Sequence, residues 1–166
     1  MSNRGLEAGK FVARLFPHHS NRKAATDGVT PGLLADYREA CAVLEISPKA
    51  SAALTRRCLQ HMLEVKGKVK PGTLDSEIKQ VLDSNVLPSH LAESIDAVRN
   101  IGNFAAHPIK SASSGEIVDV EPGEAEWNLD VVEALFDFFF VQPKLLADKR
   151  AALNQKLGDA GKKPMK

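Results

Sequence analysis

Apolar residues recur every three to four positions along most of the chain, which is the pattern of amphipathic helices. The first such segment follows Thr30-Pro31 and the second follows Ser47-Pro48. Threonine and serine favour the N-cap of a helix and proline favours its first position, so each dipeptide predicts a helix start. We therefore predict one helix after each dipeptide, the second of them ending at about Lys66.

Two further helices are predicted in the middle of the chain. Thr73 precedes a segment with acidic residues in its first turn, where the helix dipole favours them. The next helix is predicted to begin at Pro88 and to end close to His107. It ends there because the residue before Pro108 is disfavoured in the α conformation.

Residues 109–121 combine a Ser- and Gly-containing turn with a short β-like run, so we predict a small β-hairpin there. The fold class is therefore mainly all-α, a bundle of four to five helices with one hairpin excursion. Residues 30–157 are predicted to form this single domain. A loosely structured N-terminal segment, residues 1–29, precedes it, and a flexible basic tail, residues 158–166, follows it.

The last long helix is predicted to open at Glu121-Pro122 and to reach about Val141, with Pro143 kinking or interrupting a charged continuation to about Leu157. Four of the chain's seven phenylalanines lie in the run 136–140. This run covers most of a helix circumference, so it must be buried in the bundle or at a dimer interface. We predict a homodimer from it.

The charge is unevenly distributed although the formal net charge is only +1. Residues 116–137 contain eight acidic residues and no Lys or Arg, for a charge of −8. Residues 47–70 and 138–166 carry +5 each. In a bundle these blocks could pair with one another or segregate into one basic cleft near Arg99, and both arrangements stay open.

Two cysteines, Cys41 and Cys58, lie on apolar stripes, which indicates buried small hydrophobic residues rather than nucleophiles or a disulfide framework. No segment is apolar and long enough for a membrane span or a secretory signal. These features predict a cytoplasmic protein without a membrane partner.

The most informative stretch for function is the polar side of the fourth helix. Arg99, Asn103 and His107 follow one another at i, i+4 spacing, and Asn100 and Asp96 lie close to the same strip. Arginine binds phosphate oxygens through two parallel N–H donors, and histidine exchanges a proton near neutral pH. The strip therefore suits a phosphodiester and requires no metal or other cofactor. The alternative is an ordinary solvated helix face.

The run Arg-x-x-Gly-Asn-x-x-Ala-His at residues 99–107 resembles the signature of the domain of unknown function 4145 family. Residues 47–60 and 124–127 resemble the same family, and the resemblance covers roughly residues 31–145. That family is distantly similar to the HEPN group of helical bundles. Many HEPN proteins are dimeric, metal-independent endoribonucleases of toxin–antitoxin and defence systems.

This resemblance implies that Arg99 binds phosphate, that Asn100 is the polar residue following it, and that His107 is the acid or base. Asn103 belongs to the signature of the narrower family. Seven residues separate Arg99 from His107, which is longer than the usual HEPN interval. In a regular helix the two Cα atoms would lie about 12 Å apart.

Two hypotheses follow. The first is a non-catalytic module that binds a nucleotide, RNA or a protein partner, and the HEPN similarity implies a place in prokaryotic defence. The second is a metal-independent endoribonuclease that uses Arg99 and His107. Three other features have simpler interpretations: Arg57 and His61 as a solvated helix face, His90 as incidental, and Trp127 as a packing anchor.

Overall fold

A computed structural model describes Arg22, Ala24, residues 26–106 and residues 119–165, without the side chains of residues 100–106. Its helical elements, in chain order, are α1 (Pro31–Val43), α2 (Pro48–Lys66), α3 (Leu74–Asp83), α4 (Ser89–Ala106), α5 (Pro122–Phe136), a π segment (Asp137–Val141) and α6 (Gln142–Asp159). The mainly helical fold class is confirmed, and the described residues contain no strand.

The predicted helix starts are observed, and their caps differ in detail. The Ser47 hydroxyl accepts a hydrogen bond from the amide of Ala50 at 3.2 Å. The Thr73 hydroxyl accepts one from the amide of Ser76 at 3.3 Å. Thr30 precedes α1 without a side-chain cap bond. The local feature that favours the start of this helix is therefore Pro31 at its first position.

Helix α2 lies at the centre of the bundle and contacts α1, α3, α4 and α5. Helix α5 runs parallel to α2. Ala52 and Ala125 share one small cluster near the start of both helices. At the other end, the ammonium of Lys66, the last residue of α2, lies 4.7 Å from the centre of the Phe140 ring, just past the end of α5. This packing buries the apolar stripe of α2 on several sides.

The phenylalanine run is covered by the chain's own core. Phe136 is fully buried and Phe140 is 5% exposed, while Phe138 and Phe139 are partly buried against the same core. The rings of Phe136 and Tyr37 meet edge to face with centres 5.5 Å apart. Of the two predicted burial modes, the structure shows the centre of the bundle, so the Phe run no longer supports the homodimer prediction.

The predicted interruption at Pro143 takes the form of a π segment rather than a break. The Gln142 amide donates to the carbonyl of Asp137, five residues back. Proline in a helix interior lacks an amide donor and crowds the carbonyl four residues earlier, which is that of Phe139 here. This carbonyl lies in the π segment, whose turn is wider than that of an α-helix. The chain therefore continues through residues 122–159 as one helix.

Several predicted features lie wholly or mostly outside the described residues. Of the β-hairpin predicted at 109–121, only residues 119–121 are described, and none of them is in a strand. Residues 1–21 are also outside the description. At the other end, α6 runs to Asp159, and the Met165 amide donates to Asn154 Oδ1 at 2.7 Å. No helix among the described residues is both long and apolar enough to cross a membrane.

Candidate functional site

Arg99 of α4 is held by carboxylates from two helices. Its Nη2 lies 3.0 Å from Asp96 Oδ1, one turn earlier on the same helix. Its Nε lies 3.6 Å from Asp75 Oδ1, in the first turn of α3. The Arg99 side chain is 33% exposed. The guanidinium is therefore oriented by two fixed helices while one part of it remains open to water.

Arg56 of α2 approaches the same place from the other side. Its Nη1 donates to the carbonyl oxygen of Val98 at 3.5 Å. Removal of water on burial lowers the pKa of Arg56, and the charge of Asp75 partly opposes that shift. Arginine nevertheless stays charged in proteins, so Arg56 is a desolvated cation that gains from an anion beside it.

The position of Asp75 depends on a buried contact below it. Glu77 is fully buried, and its Oε1 accepts from the amide of Gly72 at 2.8 Å and from Gln60 Nε2 at 3.2 Å. Gln60 belongs to α2, so this contact ties the first turn of α3 to the central helix. Asp75 lies in that turn and is consequently placed beside Arg56 and Arg99.

The resulting cluster contains two guanidinium groups and two exposed carboxylates. The side chains of Asp75 and Asp96 are 64% and 43% exposed. The ion pair to Asp75 is longer than a hydrogen bond, so solvent competes with it effectively. A phosphate that displaced Asp75 could accept hydrogen bonds from both arginines. Because the site is partly desolvated, the electrostatic attraction between phosphate and arginine would be stronger there than in bulk water.

The other predicted site residues are only partly placed. Helix α4 continues without a break through Ala106, so Asn100 and Asn103 lie on the same helix as Arg99, but their side chains are not described. His107 lies outside the described residues. A regular helix separates the Cα atoms of Arg99 and Ala106 by about 10 Å. The long interval inferred from the sequence is therefore spanned by helix.

Sequence reasoning missed Arg56 and Asn128. No pattern within α2 indicates Arg56, because its proximity to Arg99 depends on how α2 and α4 cross. Asn128 of α5 is fully buried, and neither its Oδ1 nor its Nδ2 has a hydrogen-bond partner among the described residues. Such a group costs free energy in a folded core, and no local signal distinguishes it from a surface asparagine.

The simpler interpretations have mixed outcomes. The Arg57 side chain is 72% exposed, with Nε 3.5 Å from Asp36 Oδ2, as a solvated face predicts, whereas His61 on the same face is half-buried. Cys41 and Cys58 are buried thiols that are not joined in a disulfide, as predicted, and burial raises the pKa of Cys58 to about 12. The interpretation of Trp127 as a packing anchor is wrong, because 44% of this residue is exposed.

Trp127 instead lines a groove of about 230 Å³ between α4 and α5. Its floor includes Leu91 and Val131, which are 6% and 4% exposed. His90 and Asp130 also line the groove. Within the described residues, no three His, Cys, Asp or Glu side chains are grouped to hold a metal ion.

A comparison with protein families matches residues 38–156 to the family described as Domain of unknown function (DUF4145). The chain belongs to this family. The DUF4145 match begins within α1, ends within α6 and includes Arg56, Arg99 and His107. Comparisons with curated proteins and with solved structures returned no match.

Proposed function

We propose that this DUF4145 chain is a non-catalytic binding module for RNA or a nucleotide, held through a phosphate at Arg56 and Arg99. The observation that carries the proposal is the convergence of these two guanidinium groups, from α2 and α4, around the exposed carboxylate of Asp75. Asn100 and Asn103 are assigned hydrogen bonds to the sugar or base of the same ligand.

A binding role is favoured over catalysis by the regularity of α4. The helix carries the chain at least as far as Ala106, so an acid or base at residue 107 starts more than two turns from Arg99. Both groups would have to reach one phosphodiester along the helix. A binding site tolerates that length, because successive groups can contact different parts of an extended ligand.

The proposal is tested by fluorescence anisotropy of the full chain with a labelled single-stranded RNA, with unlabelled ATP and inorganic phosphate as competitors. Loss of one charged hydrogen-bond donor should weaken binding by about tenfold or more for Arg56→Ala and Arg99→Ala. Arg57→Ala is the matched control, because Arg57 lies next to Arg56 on α2 but is 72% exposed and paired with Asp36.

The result that overturns the proposal is equal loss in all three variants, or no binding of RNA, ATP or phosphate. Competition by ATP or phosphate indicates a nucleotide ligand, whereas competition by unlabelled RNA alone indicates RNA. Circular dichroism of each variant shows whether a loss of binding reflects unfolding.

Metal-independent endoribonuclease activity is the second candidate, favoured by the order Arg99, Asn100 and His107 that resembles the HEPN signature. In that case His107 acts as the base and Arg99 stabilises the charge on the phosphorus centre. Incubation with RNA in EDTA distinguishes the two functions. Cleavage that is abolished by His107→Ala supports the enzyme, and binding without cleavage supports the module.

A further inference from the structure

Helix α6 leaves the bundle without burying any of its own side chains. It continues α5 through the π segment and contacts that segment, and near its start Lys144 pairs with Asp27 at 3.1 Å. Leu146 is 61% exposed, and Leu145 and Leu153 are 42% and 43% exposed. Exposed leucines on a projecting helix are typical of a surface that packs against another protein.

Three of the four leucines of α6 share one stripe. Leu146, Arg150, Leu153 and Leu157 follow one another at i, i+4, i+7 and i+11, so they share a face. Lys149 and Lys156 flank the stripe and are exposed, as is Arg150. The stripe thus combines leucines with positive charge. Leu145 lies outside it, although it belongs to the same helix.

The groove between α4 and α5 has the opposite character. Trp127 and Val131 provide an apolar surface, and Asp130 adds a carboxylate to its lining. Glu126 is exposed, and Asp130 keeps 62% of its side chain exposed while paired with Arg22. These residues belong to the block of eight acids at residues 116–137. The groove is therefore suited to a helix with a basic, leucine-containing face.

The two surfaces cannot meet within one chain. Helix α6 extends α5 in the same direction through residues 122–159, so it leads away from the groove on its own α5. The complementary surfaces can meet only between two copies. We infer that α6 of each copy packs in the α4/α5 groove of a second copy, in a symmetric dimer. This inference concerns a different surface from the phosphate site and does not depend on it.

The lengths and charges specify a register. Residues 122–159 form a helix about 57 Å long, and two such helices crossing antiparallel at the π segment place each α6 beside the partner's α5. When Phe140 of one copy lies beside Phe140 of the other, Leu153 of one copy lies beside Trp127 of the other. Arg150 then lies beside Asp130 of the other copy. Leu146 then lies level with Ala134, which also lines the groove.

The first experiment measures the mass of the full chain by light scattering and its dimer dissociation constant by sedimentation. We expect twice the 18.0 kDa chain mass at micromolar concentration. Leu153→Glu should raise the dissociation constant by about tenfold or more, because it buries a charge without a counter-charge. Leu145→Glu is the matched control, with the same residue type, helix and exposure, and should change it less than about threefold.

The second experiment tests the register by cross-linking. Ala134→Cys combined with Leu146→Cys should form an intermolecular disulfide on oxidation, whereas Ala134→Cys combined with Leu145→Cys should not. A mass of one chain at micromolar concentration overturns the inference, as do equal effects of Leu153→Glu and Leu145→Glu. A dimer that cross-links equally well in both cysteine pairs overturns the register and with it the assigned groove. Neither experiment involves RNA, so its outcome is independent of the proposed function.

Discussion

Helices α5 and α6 belong to one continuous helix, yet the core covers the first and leaves the second in solvent. In α5, Ala125, Leu129 and Leu135 are fully buried and Phe136 is among the largest fully buried side chains. In α6, no residue is buried. The difference lies in composition: α5 carries apolar residues on several faces, whereas α6 alternates leucines with lysines and other polar residues.

This contrast shows that helix formation and burial are separate consequences of sequence. Helix α6 is rich in Ala, Leu, Lys and Gln, which have high intrinsic helix propensity, and it extends a helix that has already nucleated. Helix α5 contributes most of its stabilisation through tertiary packing. The boundary falls at the π segment, after Phe140 and before Pro143.

The largest expected effect is the loss of an aromatic ring from the buried half. Phe136→Ala should lower the free energy of unfolding by about 3–5 kcal/mol, because it leaves a cavity and removes the edge-to-face contact with Tyr37. Leu145→Ala in α6 should change it by less than about 0.5 kcal/mol. Urea denaturation followed by circular dichroism measures both, and equal effects would contradict the contrast between the two helices.

A smaller and opposite effect is expected at Asn128. Asn128→Leu removes two buried polar atoms that have no partner in the part of the chain that the structure describes, so it should raise the free energy of unfolding by about 1–2 kcal/mol. Asn154→Leu in α6 is the control, because its amide oxygen accepts only an exposed hydrogen bond from Met165. A loss of stability in Asn128→Leu would show that this amide makes a stabilising contact in solution.

An effect that appears only at alkaline pH is expected at Cys58, in the core against which α5 packs. Burial raises the pKa of the Cys58 thiol from 9.0 to about 12, so the folded state favours the protonated form. The resulting stabilisation is fully present below pH 9 and is lost as pH rises through about 12.

The stability advantage of the wild type over Cys58→Ala should therefore decrease between pH 9 and pH 12. Urea denaturation of both proteins across this range measures it. Because the two chains share every other titratable group, their difference isolates Cys58. An advantage that stays constant across the range would show that the thiol titrates alike in the folded and unfolded chains.

Local signals predicted the helix starts well. The dipeptides Thr30-Pro31 and Ser47-Pro48 preceded α1 and α2, and Thr73 capped α3. These features depend on residues within one or two turns, so the sequence contains them directly. The π segment was not predicted, because Pro143 in the sequence is compatible with a kink, a break or a wider turn. Only the structure shows that the helix continues through a wider turn.

The candidate site was predicted only in part. Arg99 and Asp96 are neighbours at i, i+3 on one helix, so spacing alone placed them together. Asp75 and Arg56 come from α3 and α2, and no periodicity within α4 indicates them. Their proximity depends on the crossing of three helices, which is a property of packing.

The amino-acid sequence by itself determined where helices begin, which residues share a face, and that residues 116–137 are acidic. These are consequences of backbone geometry and side-chain type over a few turns. Only the tertiary structure decided that the phenylalanine run is covered by the chain's own core and that Trp127 is exposed. It also decided that Arg56 reaches the backbone of α4 at Val98 and that Asp75 acts on both Arg56 and Arg99. Burial and convergence depend on which helix faces are brought together, and that outcome is settled by the packing of the whole bundle rather than by any one segment.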